Sequence, residues 1–248
     1  MKKFLSCTLP ALILAFSAQA QVNVYENPGN LKVLPPDISA SELLEVMKGF
    51  AIGTGFRCSS CHVGEEGQPF TEYDFASDEK QLKRSARAML QMVNTINGTI
   101  RTGLGDDRTE VRCITCHRGV NQPRLTGEVL TEAAESGGIE ELKQTYASLR
   151  DRYHGTHSYD FSDMTLSDFA LSRAAAGETE QAEAMFALLL EDNPKSFMGH
   201  WRYGEMMHRA GNTEKAVHHY RKAIEANPGA GGFLQPRIDQ LLAPAEPE

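Results

Sequence analysis

The pattern Cys-x-x-Cys-His occurs twice, as Cys58-Ser59-Ser60-Cys61-His62 and as Cys113-Ile114-Thr115-Cys116-His117, and it constrains this chain more than any other feature. Cysteine is used five times in 248 residues, and four of the five stand in these two pentapeptides. Two thiols three positions apart can each form a thioether to one porphyrin, while the adjoining histidine turns beneath the ring to bind iron. The pattern predicts two covalently bound haem c groups, one on Cys58 and Cys61 and one on Cys113 and Cys116, with His62 and His117 on the irons. A thioredoxin-like dithiol needs a preceding strand and gives no role to a following histidine, and no strand is readable before either motif. Zinc is the nearer competitor, since two Cys-x-x-Cys pairs can make a closed four-thiolate site. The repeated histidines and the export signal count against it.

Residues 1–20 carry Lys2 and Lys3, an apolar run from Leu9 to Phe16, and Ala18-Gln19-Ala20. These are the three parts of a secretory signal, with cleavage expected after Ala20. Cys7 lies inside the removed piece, too close to the start for a lipoprotein signal, so every remaining cysteine belongs to a haem motif. Export to a periplasm, where stray thiols oxidise, agrees with a chain that keeps none spare. No later stretch approaches the roughly 18 apolar residues of a spanning helix, so a soluble mature protein without a transmembrane segment is expected. Of 25 basic and 33 acidic residues, loss of Lys2 and Lys3 leaves 23 against 33. Such a surface disfavours nucleic acid and leaves a protein partner as the expectation.

The character of the chain changes near residue 130. Residues 21–130 hold both motifs and many glycines; residues 131–248 are alanine-rich and helical. We expect a mainly α fold, with a multihaem c-type cytochrome domain followed by an α-helical repeat module. A haem domain of about 100 residues has a thin core, so porphyrin faces should stand in for side-chain packing.

Ser39 and Glu42 predict a capping box that opens a helix with Leu43, Leu44, Val46, Met47, Phe50 and Ala51 on one face, stopped by Gly53 and Gly55. Met47 precedes Cys58 by eleven residues and offers a soft sulfur ligand for the first iron; packing in the core is its other reading. A second helix is expected from about Asp78 to Asn97 with Gly98 as its stop, and a stripe of Leu82, Ala86, Met89, Val93 and Ile96. Met89 lies in the stripe and Met92 on its flank. Either can serve the second iron.

These residues resemble the cytochrome c subunit of bacterial photosynthetic reaction centres and its relatives outside phototrophs. The likeness covers roughly Leu34 to Pro123. It rests on Met47 with Gly55-Phe56-Arg57-Cys58, on Arg87-Ala88-Met89-Leu90-Gln91-Met92 with Ile96-Asn97, and on Cys113 through Gly119. The resemblance implies that Met47 and His62 bind the first iron and Met89 and His117 the second. The photosynthetic subunit has four haem motifs and this chain two. The subunit also places a histidine in the loop before its second motif, and Arg101 to Arg112 contains none. A two-haem relative with a different partner is the expectation, rather than a reaction-centre component.

The second part repeats itself at 34 residues. Asn193-Pro194 matches Asn227-Pro228, and Ala170, Gly177, Ala182 and Phe186 match Gly204, Gly211, Ala216 and Tyr220. This is the tetratricopeptide period, and predicts repeats at about 163–196 and 197–230, completed by helices near 138–153 and 236–242. Trp201 stands one residue off the repeat pattern. His200, His208, His218 and His219 invite a metal, but neighbours on a helix cannot face one point. His154 and His157 read as loop residues.

The chain is expected to be a soluble periplasmic two-haem electron carrier with histidine–methionine ligation, its repeats docking a redox partner, whether soluble or membrane-bound. A two-haem peroxidase is the rival enzyme reading. It would need an open iron and nearby acid–base groups, and Glu65, Glu66, Glu72 and Asp74 read as solvated loop charges. A repeat scaffold with structural haems is the third.

Overall fold

The computed structural model describes residues 23–244. The expected signal segment, its cleavage after Ala20, and Cys7 lie outside the described residues. Ten α-helices occur among them: α1 (Ala40–Thr54), α2 (Cys58–Cys61), α3 (Gln81–Leu104), α4 (Cys113–His117), α5 (Thr126–Tyr153), α6 (Asp163–Ala175), α7 (Thr179–Asp192), α8 (Phe197–Arg209), α9 (Thr213–Ala226) and α10 (Gly231–Leu242). One isolated bridge, Val63 with Asp74, is the extended pairing among the described residues. The mainly α class read from the sequence is the class observed. No helix among the described residues is long and apolar enough to cross a membrane.

The described chain forms two compact units. One holds residues 23–51 and 56–111; the other holds 52–55 and 112–244.

In the first unit, α1 opens on the expected capping box. Glu42 N–H donates to Ser39 Oγ at 3.2 Å, and Ser39 N–H donates to Glu42 Oε2 at 3.0 Å. Reciprocal bonds of this kind satisfy donors that the first turn would otherwise leave bare. Helix α3 starts at Gln81, three residues after the expected Asp78, and continues through Gly98 to Leu104, where Gly105 at φ 99° ends it. A mid-helix glycine costs about 1 kcal/mol against alanine, too little to stop a helix whose neighbours favour it. The terminator is the glycine that takes the left-handed conformation.

Leu43 is the one buried hydrophobic side chain among the described residues of this unit. Its other buried side chains are polar, Lys83 and Asn97. Phe70, Leu82, Met89, Met92 and Leu104 are exposed, so the stripe expected on α3 is not covered by protein side chains of a core. A chain this poor in buried apolar area is at the limit of what folds unaided.

The second unit has a continuous core. Leu130, Leu142, Leu166, Met185, Phe186, Leu189, Met207, Tyr220, Leu234 and Ile238 are almost wholly buried. Helices α6 and α8, and likewise α7 and α9, have bounds offset by 34 residues at both ends. Their caps recur with them. Ser162 accepts from Thr165 N–H, and Ser196 from Gly199 N–H at 2.8 Å. Gly177 and Gly211, both at positive φ, turn the chain between the helices of each pair. Gly204 is small of necessity, because a Cβ there would meet Tyr220 at 2.6 Å. Phe186 stacks on Tyr203 with centroids 4.8 Å apart. Helix α5 is longer than the expected 138–153 segment; it begins at Thr126 and breaks direction at Gly138, φ 66°. The last helix begins at Gly231 and carries Pro236 inside it.

Candidate haem sites

Two short helices present the motifs, and they end differently. Helix α2 closes at Cys61, which leaves His62 in extended backbone, φ −111° and ψ 147°. Helix α4 includes His117 and is ended by Arg118 in the left-handed region, φ 51°, followed by Gly119 at φ 86°. All four cysteines are free; Cys58 and Cys116 are exposed, Cys61 and Cys113 half-buried. Burial pushes the Cys61 and Cys113 thiols up, with Lys80 opposing at Cys61.

At the first motif, the His62 ring meets the Phe75 ring edge-on, centroids 4.9 Å apart, and Tyr73 and Phe70 extend the aromatic group. His62 Nδ1 is buried without a hydrogen-bond partner. Burial holds this imidazole below its ordinary range, with Lys83 the next cause and Arg87 and Lys80 smaller ones; the Phe75 carbonyl opposes them. That carbonyl also accepts from Lys83 Nζ at 2.7 Å. A neutral imidazole with an unsatisfied buried nitrogen fits a metal ligand, because only the unprotonated ring can offer a lone pair.

At the second motif, His117 Nδ1 lies 3.0 Å from the Val120 carbonyl. A carbonyl only accepts, so Nδ1 carries the proton and Nε2 the lone pair. A bond of this kind orients a metal-binding histidine and fixes its tautomer. The backbone around it is tightly held. Gly119 N–H donates to Gly53 O at 2.8 Å, and Ser158 Oγ donates to Arg118 O at 2.7 Å. A Cβ on Gly53 would stand 2.7 Å from Cys113 Cβ, and one on Gly55 2.6 Å from Gly119 O. Gly53 therefore lies within α1 and serves close approach to the motif, a correction to its expected role as a helix stop. Gly55, at φ 73°, does follow the helix end.

Met47 is half-buried on α1. Met89 and Met92 are 46% and 45% exposed on α3, so neither thioether is committed to a packed core. Glu65, Glu66, Glu72 and Asp74 are exposed, and Arg57 pairs with Glu66 at 3.0 Å. No group of three or more His, Cys, Asp or Glu side chains suited to a metal ion occurs among the described residues. His200 Nδ1 instead lies 3.0 Å from His219 Nδ1.

Two site residues escaped the sequence reading of roles. Asn97 is buried and pairs with the backbone of Val111 in both directions, Nδ2 donating at 2.9 Å and Oδ1 accepting at 2.8 Å. It thereby fixes the segment that leads into the second motif. Asp78 gathers Lys32 at 2.6 Å, Asn30 at 2.9 Å and Arg87 at 2.6 Å, with Lys83 at 3.5 Å. Hydrogen bonds from Lys32 and Asn30 foremost hold its carboxyl well below the usual carboxylate range. No spacing signal marks Asp78 for this role, since its partners come from two separate stretches of chain, residues 30–32 and the start of α3.

Among known families, the model of the photosynthetic reaction centre cytochrome C subunit matches residues 10–190. The match takes in both motifs and extends beyond the Leu34 to Pro123 stretch, through α5 and α6 and into α7. Neither the curated proteins nor the solved structures gave a match. The family is one of electron-transfer cytochromes with covalently bound c-type haem and redox partners. With about three quarters of its length covered, this chain belongs to the photosynthetic reaction centre cytochrome C subunit family.

Proposed function

We propose that this chain is an exported, periplasmic carrier of electrons with two haems, soluble once its signal is removed. Cys58 and Cys61 hold one haem c and Cys113 and Cys116 the other. His62 with Met47 would hold the first iron, and His117 with Met89 the second. The observation that carries this reading is that two Cys-x-x-Cys-His motifs each present an imidazole suited to iron. His62 is half-buried, with a buried and unsatisfied Nδ1, and His117 has Nε2 freed by the Val120 carbonyl.

When bound, each haem iron takes up and returns one electron. What the chain supplies is restraint. The thioether cysteines anchor the ring on a short helix, the Val120 carbonyl keeps His117 in one tautomer, and Phe75 orients His62 by edge contact. A methionine sulfur together with a histidine nitrogen would raise the potential of the iron they hold and leave it no need of a substrate pocket.

We further propose that α6 to α9 are two tetratricopeptide repeats, supported by the 34-residue offset of their bounds and caps, and that this region docks the redox partner. The test of the haem reading is the mass and spectrum of the purified protein. Two added haem masses and wholly low-spin spectra are expected, and Met47→Ala and Met89→Ala should each convert one haem to high spin without releasing it. A single haem mass, or a high-spin haem in the unaltered protein that binds cyanide readily, overturns the reading in favour of a one-haem protein or an enzyme. A change of spin state in Met92→Ala instead of Met89→Ala moves the ligand by one helical turn.

A further inference from the structure

The start of α3 places three cations beside the first motif. Lys83 Nζ donates to the carbonyl of Phe75 at 2.7 Å, and Phe75 is the residue whose ring packs on His62. The same ammonium donates to Ser77 O at 2.6 Å. Lys80 Nζ donates to the carbonyl of Ser59, inside the motif itself. Arg87 pairs with Asp78. Two carboxylates oppose this group, Asp78, which Lys32, Lys83 and Arg87 all share, and Asp74, whose charge also acts on Lys83; against Lys32, Lys80, Lys83 and Arg87 the cluster keeps an excess of positive charge. Lys83 is only 8% exposed and sits among carbonyls that favour the ammonium form. A charge so covered is poorly screened by salt, unlike a surface lysine.

We infer that Lys83, helped by Lys80 and Arg87, is an electrostatic positioning residue that raises the reduction potential of the haem held by Cys58 and Cys61. This rests on the two-haem reading above. Reduction adds one electron, taken from the redox partner, and removes one unit of positive charge from the iron. A fixed cation nearby therefore penalises the oxidised state more than the reduced one. The effect is local to one haem. It gives the chain a means of ordering two sites that share a five-residue pattern.

The test is a potentiometric titration of the full haem-loaded chain, which resolves two one-electron steps. Lys83→Met should shift one step by about tenfold toward the oxidised form, about 59 mV for a one-electron couple, and leave the other in place. Lys83→Arg, which keeps the charge, should restore the step to within about twofold. Should Lys83→Met fail to accumulate with haem, Lys80→Gln must move the same step in the same direction by a smaller factor. Two unmoved steps, or an equal shift in Lys83→Met and Lys83→Arg, overturn the inference, since the second result makes Lys83 a structural tie. A protein of one haem mass, lacking the group at Cys58 and Cys61, instead overturns the two-haem reading and the inference with it.

Discussion

The two compact units solve the problem of stability by opposite means. The second encloses a continuous core in which leucine, methionine and aromatic side chains from α5 to α10 are almost completely buried. Among its described residues the first has a single buried hydrophobic side chain, Leu43, with Lys83 and Asn97 as its other buried side chains. Helical hairpins that stack side chain on side chain need nothing further. A chain organised around a planar apolar cofactor can leave phenylalanine, leucine and methionine uncovered by its own side chains, because the porphyrin supplies the opposing surface.

This contrast is broken or sharpened most strongly by removing thioethers. Cys58→Ser with Cys61→Ser should cost one haem mass and the cooperative unfolding of the first unit. Circular dichroism and hydrogen exchange should still find α5 to α10 intact. If the first unit keeps full protection without its haem, the thin core is sufficient and the comparison fails. In the second unit, side chains should behave as a conventional core. Phe186→Ala, which removes a buried ring stacked on Tyr203, is expected to destabilise by about 3–5 kcal/mol in denaturant titration.

A smaller effect probes how the first unit uses polar burial. Asn97→Ala leaves the N–H and C=O of Val111 without partners and should cost about 1–3 kcal/mol. It should also lower haem occupancy at Cys113 and Cys116, measured as the ratio of one-haem to two-haem masses. The smallest effect is one of pH. Burial pulls His219 down to about 4, so the unfolded chain binds a proton below about 6.5 that the folded chain refuses. The sign follows from linkage: this contribution is whole above pH 6.5 and is lost as pH falls toward 4. Because the ring is partly exposed, the loss should be about 1–2 kcal/mol. His219→Gln should flatten the profile over this window, and an unchanged slope would assign the acid sensitivity elsewhere.

Much of the fold was legible because helices announce themselves locally. The Ser39 and Glu42 box and the 34-residue recurrence depend on the order of residues alone, and each appears in the structure where the residues predict it. The errors fall where a local signal was outvoted. Gly98 looked like a stop, yet α3 runs through it, and Gly53 looked like a terminator, yet it admits Cys113. Asp78 looked like a helix start and is instead the carboxylate that three cations share. Each of these depends on what lies close in space. Sequence spacing carries no record of it.

The order of residues by itself marked four thiols and two imidazoles as the candidates for haem, since thioether and iron bonds within one motif need only five consecutive residues. Tertiary structure decided how those groups are poised. The Val120 carbonyl that assigns the proton on His117, the buried nitrogen of His62 and the covered charge of Lys83 are consequences of distance and solvent exclusion. Hydrogen bonding and electrostatic energy follow separation through space and the surrounding dielectric, so they exist only once the chain has folded.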